Sequence, residues 1–195
     1  MKPSRWIYLL LVPILLSSGC QTLQQVANLR KLNFALDRVA DAELAGIELS
    51  GIRSYEDLSA SDVARLGVAL ADGDMPLTFD LFVAAENPEE NNVSARMVQM
   101  DWTFLMEDKE TISGNLEENF VVSPGETQDF PVRIELDLVD FFDGNARNLF
   151  DLALAAAGSG EPQNVALEAQ PTIETELGPI EYPNPITITS RDLGD

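Results

Sequence analysis

Strict alternation of apolar and polar side chains is the feature that most constrains how this chain folds. The alternating segments are Leu77–Ala85, Val98–Met106, Phe130–Leu138 and Val165–Ile173. In the second of them, Val98, Met100, Trp102, Phe104 and Met106 share one face. A period of two places successive side chains on opposite faces of a strand. Each segment therefore predicts a strand with one face on a core and the other in water.

Turn residues separate these strands. The turns are Asp72-Gly73-Asp74, Asn87-Pro88, Glu107-Asp108-Lys109, Ser123-Pro124-Gly125 and Tyr182-Pro183-Asn184-Pro185. Weaker strand candidates are Phe34–Val39, Leu44–Ile52, Ile112–Val122 and Ile186–Thr189. Glycine supplies positive φ, proline fixes φ, and Asn or Asp bonds its own backbone. About seven short strands between frequent turns predict a mostly β chain folded as an antiparallel β-sandwich.

Two segments have helical rather than strand periodicity, so one or two short helical inserts are expected. Ser59–Leu70 offers Ser59 or Ser61 as N-cap and places Val63, Leu66 and Leu70 on one stripe. Asn145–Ala157 has Leu149, Leu152, Ala153 and Ala156 on one face, and stops at Gly158-Ser159-Gly160.

The N-terminal residues are typical of a bacterial lipoprotein signal peptide, spanning residues 1–19. Lys2 and Arg5 precede the apolar run Trp6–Leu16, and small residues lead to Cys20, the single cysteine of the chain. This layout resembles a lipobox, with Ser17 where leucine is commonest, and predicts lipidation of Cys20. The alternatives are an incidental cysteine behind an ordinary signal, or a membrane span, for which eleven apolar residues are too few since about 20 are needed.

The rest of the chain is divided accordingly. Residues 20–33 are expected to form a tether, 34–189 the β-sandwich, and 190–195 a C-terminal tail. Gln21 is not the aspartate that retains lipoproteins in the inner membrane of enteric-like bacteria, so the resemblance implies an outer-membrane location facing the periplasm. The expected partner is thus the membrane, contacted through the lipid anchor.

Charge and composition exclude several function classes. The chain carries 33 acidic and 12 basic residues, a formal charge of −21. That field opposes nucleic-acid binding, which needs Lys and Arg on the phosphates. The absence of histidine removes Ser-His-Asp and Cys-His catalysis and histidine-ligated metals. No catalytic residue, cofactor or metal site is therefore predicted, although a carboxylate-only hydrolase remains the least favoured alternative. A hydrophobic content of 45% argues against disorder.

Three acidic motifs could bind a cation, but each has a simpler interpretation. Asp140–Asn145 lacks the alternating spacing of an EF-hand and is better explained as a loop and helix N-cap. Asp72-Gly73-Asp74 is a turn by the same argument. Glu86 could join Glu89 and Glu90 at a strand end, and this cluster is the remaining cation hypothesis.

Asn87 and Pro88 form a structural motif. The residue before a proline favours extended geometry, and Pro88 cannot donate a ladder hydrogen bond. The pair is therefore expected to terminate the strand that precedes it.

The order of motifs in Pro76–Asp137 resembles the late embryogenesis abundant (LEA) type 2 family, whose domain is also called the water stress and hypersensitive response (WHy) domain. The matching features are Leu77–Glu86, Asn87-Pro88, Val98–Met106, Asp108-Lys109 with Gly114, Ser123-Pro124-Gly125 and Phe130–Leu138. Glu89 departs from the asparagine that family members often have there. The resemblance implies an immunoglobulin-like or fibronectin type III-like sandwich without an active site.

Two functions are compatible with these observations. The first is a non-catalytic, lipid-anchored envelope protein that protects under water or desiccation stress, through an acidic surface that holds water and counterions. The alternative is an interaction or assembly subunit of an envelope complex, which presents a strand edge or groove to a partner.

Overall fold

The strands form two antiparallel sheets packed face to face, in a computed structural model that describes residues 32–106, 109–141, 150–151, 153–155, 157, 165–175 and 178–189. The first sheet contains, in spatial order, Ile47–Glu48 (β2), Asn33–Leu44 (β1), Pro76–Glu86 (β3) and Thr127–Asp137 (β7). The second contains Ile186–Thr189 (β10), Val165–Thr175 (β8), Ala95–Met106 (β4) and Lys109–Leu116 (β5), with Phe120–Val122 (β6) on β4 and Gly178–Glu181 (β9) on β8. The predicted antiparallel β-sandwich is confirmed.

The core lies between the sheets and is built by the alternation seen in the sequence. In β3 every odd-numbered residue from Leu77 to Ala85 is buried, and in β7 every even-numbered residue from Phe130 to Leu136. Phe79 of the first sheet meets Phe104 of the second edge-on, with ring centroids 5.7 Å apart. Each fully buried side chain of this size contributes about 1.5–3 kcal/mol relative to exposure. Apolar burial therefore holds the two sheets together along most of their length.

The alternation in β4 changes phase once, which the sequence pattern did not reveal. Met97 is 5% exposed, whereas Val98, predicted to face the core, is only half-buried. The register of β4 against β8 shifts between Met97 and Gln99. A β-bulge inserts one residue into a strand and so moves the apolar face by one position. From Met100 to Phe104 the predicted face is correct.

The segment predicted as a strand over Leu44–Ile52 is instead a tight hairpin. Ala45 and Gly46 both have positive φ (48° and 71°), and Leu44 pairs directly with Ile47 across them. Two central residues with positive φ are the requirement of a type I′ turn, which reverses the chain between antiparallel strands. β2 is consequently only two residues long, and the prediction of one continuous strand was wrong.

The predicted first helix is Ala60–Asp72 (α1). Ser59 Oγ accepts a hydrogen bond from the Asp62 N–H, and the Asp62 carboxylate accepts one from the Ser59 N–H, each 3.2 Å long. This capping box fixes the helix start, and Gly73 in the left-handed region ends it. Leu66 is fully buried as expected, but Val63 is 37% exposed and does not belong to the buried stripe.

The second helical insert lies partly outside the described residues. Residues 150–151 and 153–155 are helical, and the predicted start at Asn145 is not among the residues described. Phe150, Ala153 and Leu154 are buried, and the Phe150 ring meets the Tyr55 ring edge-on at 5.7 Å. A short helix, Leu138–Phe141 (α2), directly follows β7, so Leu138 is buried from a helix and not from the predicted strand.

The sandwich has two distinct ends. At one, which we call the asparagine end, β1 begins and β3 finishes, with Asn33 opposite Glu86 and Asn87 next in the chain. At the other, the helical end, β1 turns into β2 and α1 leads into β3.

Gly114 of β5 lies directly opposite Trp102 on the adjacent strand β4 of the second sheet. A Cβ built on Gly114 would lie 2.7 Å from Cε2 of the indole, a distance that real Cβ atoms essentially never show. The ring of Trp102, 8% exposed, therefore occupies the space of the missing side chain. The obstacle is a large ring packed in the core, so it has little freedom to move aside.

We expect Gly114→Ala to destabilise the protein by about 1–3 kcal/mol, the usual cost of overpacking. Gly67→Ala is the matched control, because Gly67 lies in α1 and a Cβ added there would meet no atom within 4 Å. There the same change should stabilise by about 0.5–1 kcal/mol, since alanine is the better helix former. Urea unfolding of both variants measures the difference, and equal effects would contradict this account of Gly114.

Candidate functional site

Cys20, the predicted lipidation site, lies outside the described residues, and its modification stays a prediction. The same holds for most of the Asp140–Asn145 loop. Among the helices that the structure describes, none has the length and apolar character needed to cross a membrane. The candidate site residues whose structure can be described are therefore Asn87 and Pro88.

The backbone of Asn87 continues the pairing of β3 with β7 beyond the end of the strand. Its N–H donates to the carbonyl of Glu126 (2.9 Å), and its carbonyl accepts from the Gly125 N–H (2.7 Å). Gly125 has φ of 77°, the left-handed geometry that the Ser123-Pro124-Gly125 turn uses. Asn87 is thus held on both sides by the turn that leads into β7.

The side chain of Asn87 connects the two sheets. Asn87 follows the inward-facing series of odd-numbered β3 residues and is 1% exposed. Its Nδ2 donates to the carbonyl of Val122 in β6 (2.9 Å) and to that of Val93 in the following loop (3.1 Å). Asn87, which continues a strand of the first sheet, therefore donates to two carbonyls on the side of the second sheet. One of them, that of Val122, lies on a strand of the second sheet.

Asn91 extends this network, although its own Oδ1 is buried without a hydrogen-bond partner among the described residues. Its Nδ2 donates to Oδ1 of Asn87 (2.6 Å), and its backbone N–H donates to the carbonyl of Pro88 (3.0 Å). Because Nδ2 of Asn87 serves two carbonyls, its Oδ1 must face Asn91, and Asn91 must present its donor. Both amide orientations follow from the network, which folds residues 87–91 into a closed loop.

The acidic residues next to this network do not converge. Glu86 accepts a 3.4 Å hydrogen bond from Asn33, Glu89 packs its Cγ near Gly125, and Glu90 is exposed. Across the described ranges, no three acidic or cysteine side chains are grouped as a metal site requires. The structure therefore does not bring the Glu86, Glu89 and Glu90 cluster together as a site among the described residues.

A shallow depression of about 190 Å³ lies on the outer face of the second sheet, and sequence reasoning missed it. Outward side chains of three adjacent strands line it, namely those of Asp101, Thr103, Ser113, Glu168 and Gln170. Thr103 and Ser113 share a 2.9 Å hydrogen bond, Asp101 accepts from Asn115, and Gln170 donates to the Tyr182 carbonyl at 2.8 Å. Most of these polar groups are therefore already hydrogen-bonded within the protein. The pairing register of neighbouring strands brings these residues together, and the alternation within a single strand does not predict that register.

Ion pairs occur on the outer face of the first sheet. Arg38 contacts both Asp37 and Asp129 and stacks over the Phe82 ring, 3.9 Å from its centroid, while Arg133 pairs with Asp80 at 3.0 Å. Hydrogen bonds to Asp37, and then to Asp129, raise the pKa of Arg38 above its ordinary value. Such exposed pairs contribute little to stability, since solvent screens them.

One carboxyl group has a shifted acidity at the helical end. The Asp57 carboxylate accepts hydrogen bonds from the Arg53 N–H and from the Ser54 N–H and hydroxyl. These bonds, the one from Arg53 most of all, lower the pKa of Asp57 below its ordinary value. Because this pKa is lower in the folded state, the capping interaction stabilises the turn at pH values above the unfolded-state pKa. The stabilisation is lost as the pH falls through the folded-state pKa.

No protein-family model matches this chain, and no curated protein matches its sequence. Two solved structures are distantly similar in fold. A crystal structure of a protein from Archaeoglobus fulgidus is 14% identical with a TM-score of 0.34, over 80% of this chain and 98% of that one. A solution structure of a candidate LEA protein is 13% identical with a TM-score of 0.35, over 93% of this chain and 85% of that one.

We expect Asn87→Ala to destabilise the protein by about 2–4 kcal/mol, because it removes three hydrogen bonds of a buried side chain and leaves two carbonyls without their donor. Asn92→Ala is the control, since Asn92 is exposed in the same loop, and its effect should stay within about 0.5 kcal/mol. Urea unfolding of both variants gives the comparison. A loss for Asn87→Ala no larger than the control's would show that the network does not connect the sheets energetically.

Proposed function

We propose that this chain is a lipid-anchored, non-catalytic β-sandwich of the bacterial envelope that protects its surroundings when water is withdrawn. The anchor is Cys20, and the destination is the outer membrane, facing the periplasm. The domain acts through its surface, and no cofactor or covalent step takes part.

The observation that supports this proposal is the excess of carboxylates over basic groups on a folded sandwich. With 33 acidic and 12 basic residues, at least 21 carboxylates lack a basic side chain of their own even if every base pairs with one acid. Strand positions that face outward carry many of them, including Glu43, Glu110 and Glu135. Ionised carboxylates in water hold hydration shells and counterions, and like charge keeps neighbouring macromolecules apart.

The position of β1 sets where the tether joins the domain. β1 begins at the asparagine end, so a tether from Cys20 joins the domain at that end. The tether of about 13 residues spans at most roughly 45 Å when fully extended. The domain is therefore held close to the membrane, where it can act on the space between membrane and periplasm.

A second candidate function is the interaction subunit, and one observation favours it. Val63 and Val68 of α1 are 37% and 61% exposed at the helical end, and between Asp62 and Asp72 the helix carries a single charged residue, Arg65. Helix faces that point to solvent usually carry several charged or polar residues. This candidate requires a stable stoichiometric partner that crosslinks to α1, whereas the protective role does not.

We expect survival of drying or osmotic shock to depend on the surface charge. In a deletion strain, the wild-type gene should restore survival, and a variant with six exposed glutamates changed to glutamine should restore much less. The positions are Glu90, Glu110, Glu117, Glu118, Glu135 and Glu174. Glu→Asp at the same six positions is the matched control, because it keeps the charge. Survival of the deletion strain equal to that of the wild type would argue against a protective role.

Anchoring is tested separately by fatty-acid labelling. In cells fed an alkyne-bearing palmitate, the wild-type protein should incorporate label and sediment with outer membranes, and Cys20→Ser should lose both properties. Labelling that persists in Cys20→Ser, or wild-type protein that remains unlabelled, would contradict lipidation at this residue. Ser18→Ala is the control, since it retains the cysteine.

A further inference from the structure

Among the described strands, β7 lies at the edge of the first sheet, and we call its unpaired side the open edge. It pairs with β3 over eleven consecutive residues without a bulge, and none of the described strands continues the sheet beyond it. β1, on the other side of β3, has two register shifts and a positive φ at Asp41, so its free edge is irregular. A long regular edge exposes a row of N–H and C=O groups on which another strand can pair.

Three hydrogen bonds at the two ends of β3 determine which residues of β7 face this open edge. At one end of β3 the carbonyl of Met75 accepts from Leu138, and at the other both backbone groups of Asn87 bond the turn that leads into β7. Because backbone groups alternate in direction along a strand, odd-numbered β3 residues bond β7, and their partners in β7 are even-numbered. The odd-numbered residues of β7 therefore point their backbone groups toward the open edge.

Pro131 occupies the middle of that row. It is exposed, lies opposite Phe82, and has no N–H to donate toward the edge. Its outward-facing neighbours on either side, Asp129 and Arg133, do carry N–H groups. The edge is thus complete except at its centre.

We infer that Pro131 keeps the open edge of β7 from pairing with the same edge of a second copy of this chain. In an antiparallel pair with a two-fold axis at residue 131, Asp129 lies opposite Arg133 of the second copy, and Arg133 lies opposite Asp129 of the second copy. This register places opposite charges and no like charges across the pair, while within each copy Asp129 already contacts Arg38 and Arg133 pairs with Asp80. The same axis places Pro131 opposite Pro131 of the second copy. Neither proline has an N–H, so both hydrogen bonds of this central pair are absent and the two proline rings meet.

On this inference, a sheet with an eleven-residue edge is compatible with a domain that does not associate through that edge. Proline and charged residues on edge strands oppose edge-to-edge association. Here one proline at the symmetry point suffices, because any two-fold pairing centred near it loses hydrogen bonds in pairs.

The experiment measures the mass of the full-length chain in one detergent across a concentration series, by analytical ultracentrifugation. Wild type should remain monomeric, and Pro131→Thr should double in mass with increasing concentration, since threonine restores the donor and favours strands. Backbone amides of residues 129, 133 and 135 should then exchange with deuterium more slowly. Pro185→Thr is the matched control, because Pro185 is exposed but lies outside any strand, and it should stay monomeric.

A double variant separates edge pairing from other causes of association. Pro131→Thr with Arg133→Pro moves the missing donor to the next outward position and should restore the monomer. The inference is overturned if Pro131→Thr stays monomeric, if wild type already dimerises through β7, or if Pro185→Thr or the double variant associates as strongly as Pro131→Thr. Circular dichroism confirms that each variant retains its strand content.

Discussion

The amide of Asn87 is the interaction on which the arrangement of the two sheets depends. Across the rest of the described core, apolar side chains hold the sheets together, and their attraction is non-directional and tolerates sliding. Hydrogen bonds from Nδ2 of Asn87 to the backbone carbonyls of Val122 and Val93 are directional, and the carbonyl of Val122 belongs to a strand of the second sheet. The network thus fixes where the first sheet lies along the second, and the apolar core supplies the bulk of the stability.

The sequence predicted the sandwich well where one face of a strand is buried and the chain is regular. β3, β7 and β10 were found at or within a few residues of their predicted bounds, because period-two alternation follows directly from strand geometry. The errors occur where the backbone departs from that geometry. The bulge after Met97 and the Ala45-Gly46 turn both depend on local φ and register, which residue polarity does not encode.

The candidate site was predicted only in part. Pro88 is visible in the sequence as a residue that cannot continue a ladder, but the role of the Asn87 side chain depends on β6, which is distant in sequence and adjacent only after folding. The same reason applies to Gly114, whose partner Trp102 is recognisable only from the register of β5 on β4. An inward-facing asparagine at the end of an apolar series was the available signal, since a buried amide needs partners.

The placement of the chain's first and last described strands has a mechanical consequence. β1 begins at the asparagine end, and β10 finishes at the helical end, where Thr189 lies opposite Ala166. Tension applied between these two points runs parallel to the strands and perpendicular to their hydrogen bonds. The ladder of β1 on β3 is then loaded in shear, with its bonds sharing the force together instead of opening one after another. A domain with this geometry resists a pull along its length far better than a pull that peels one strand from its edge.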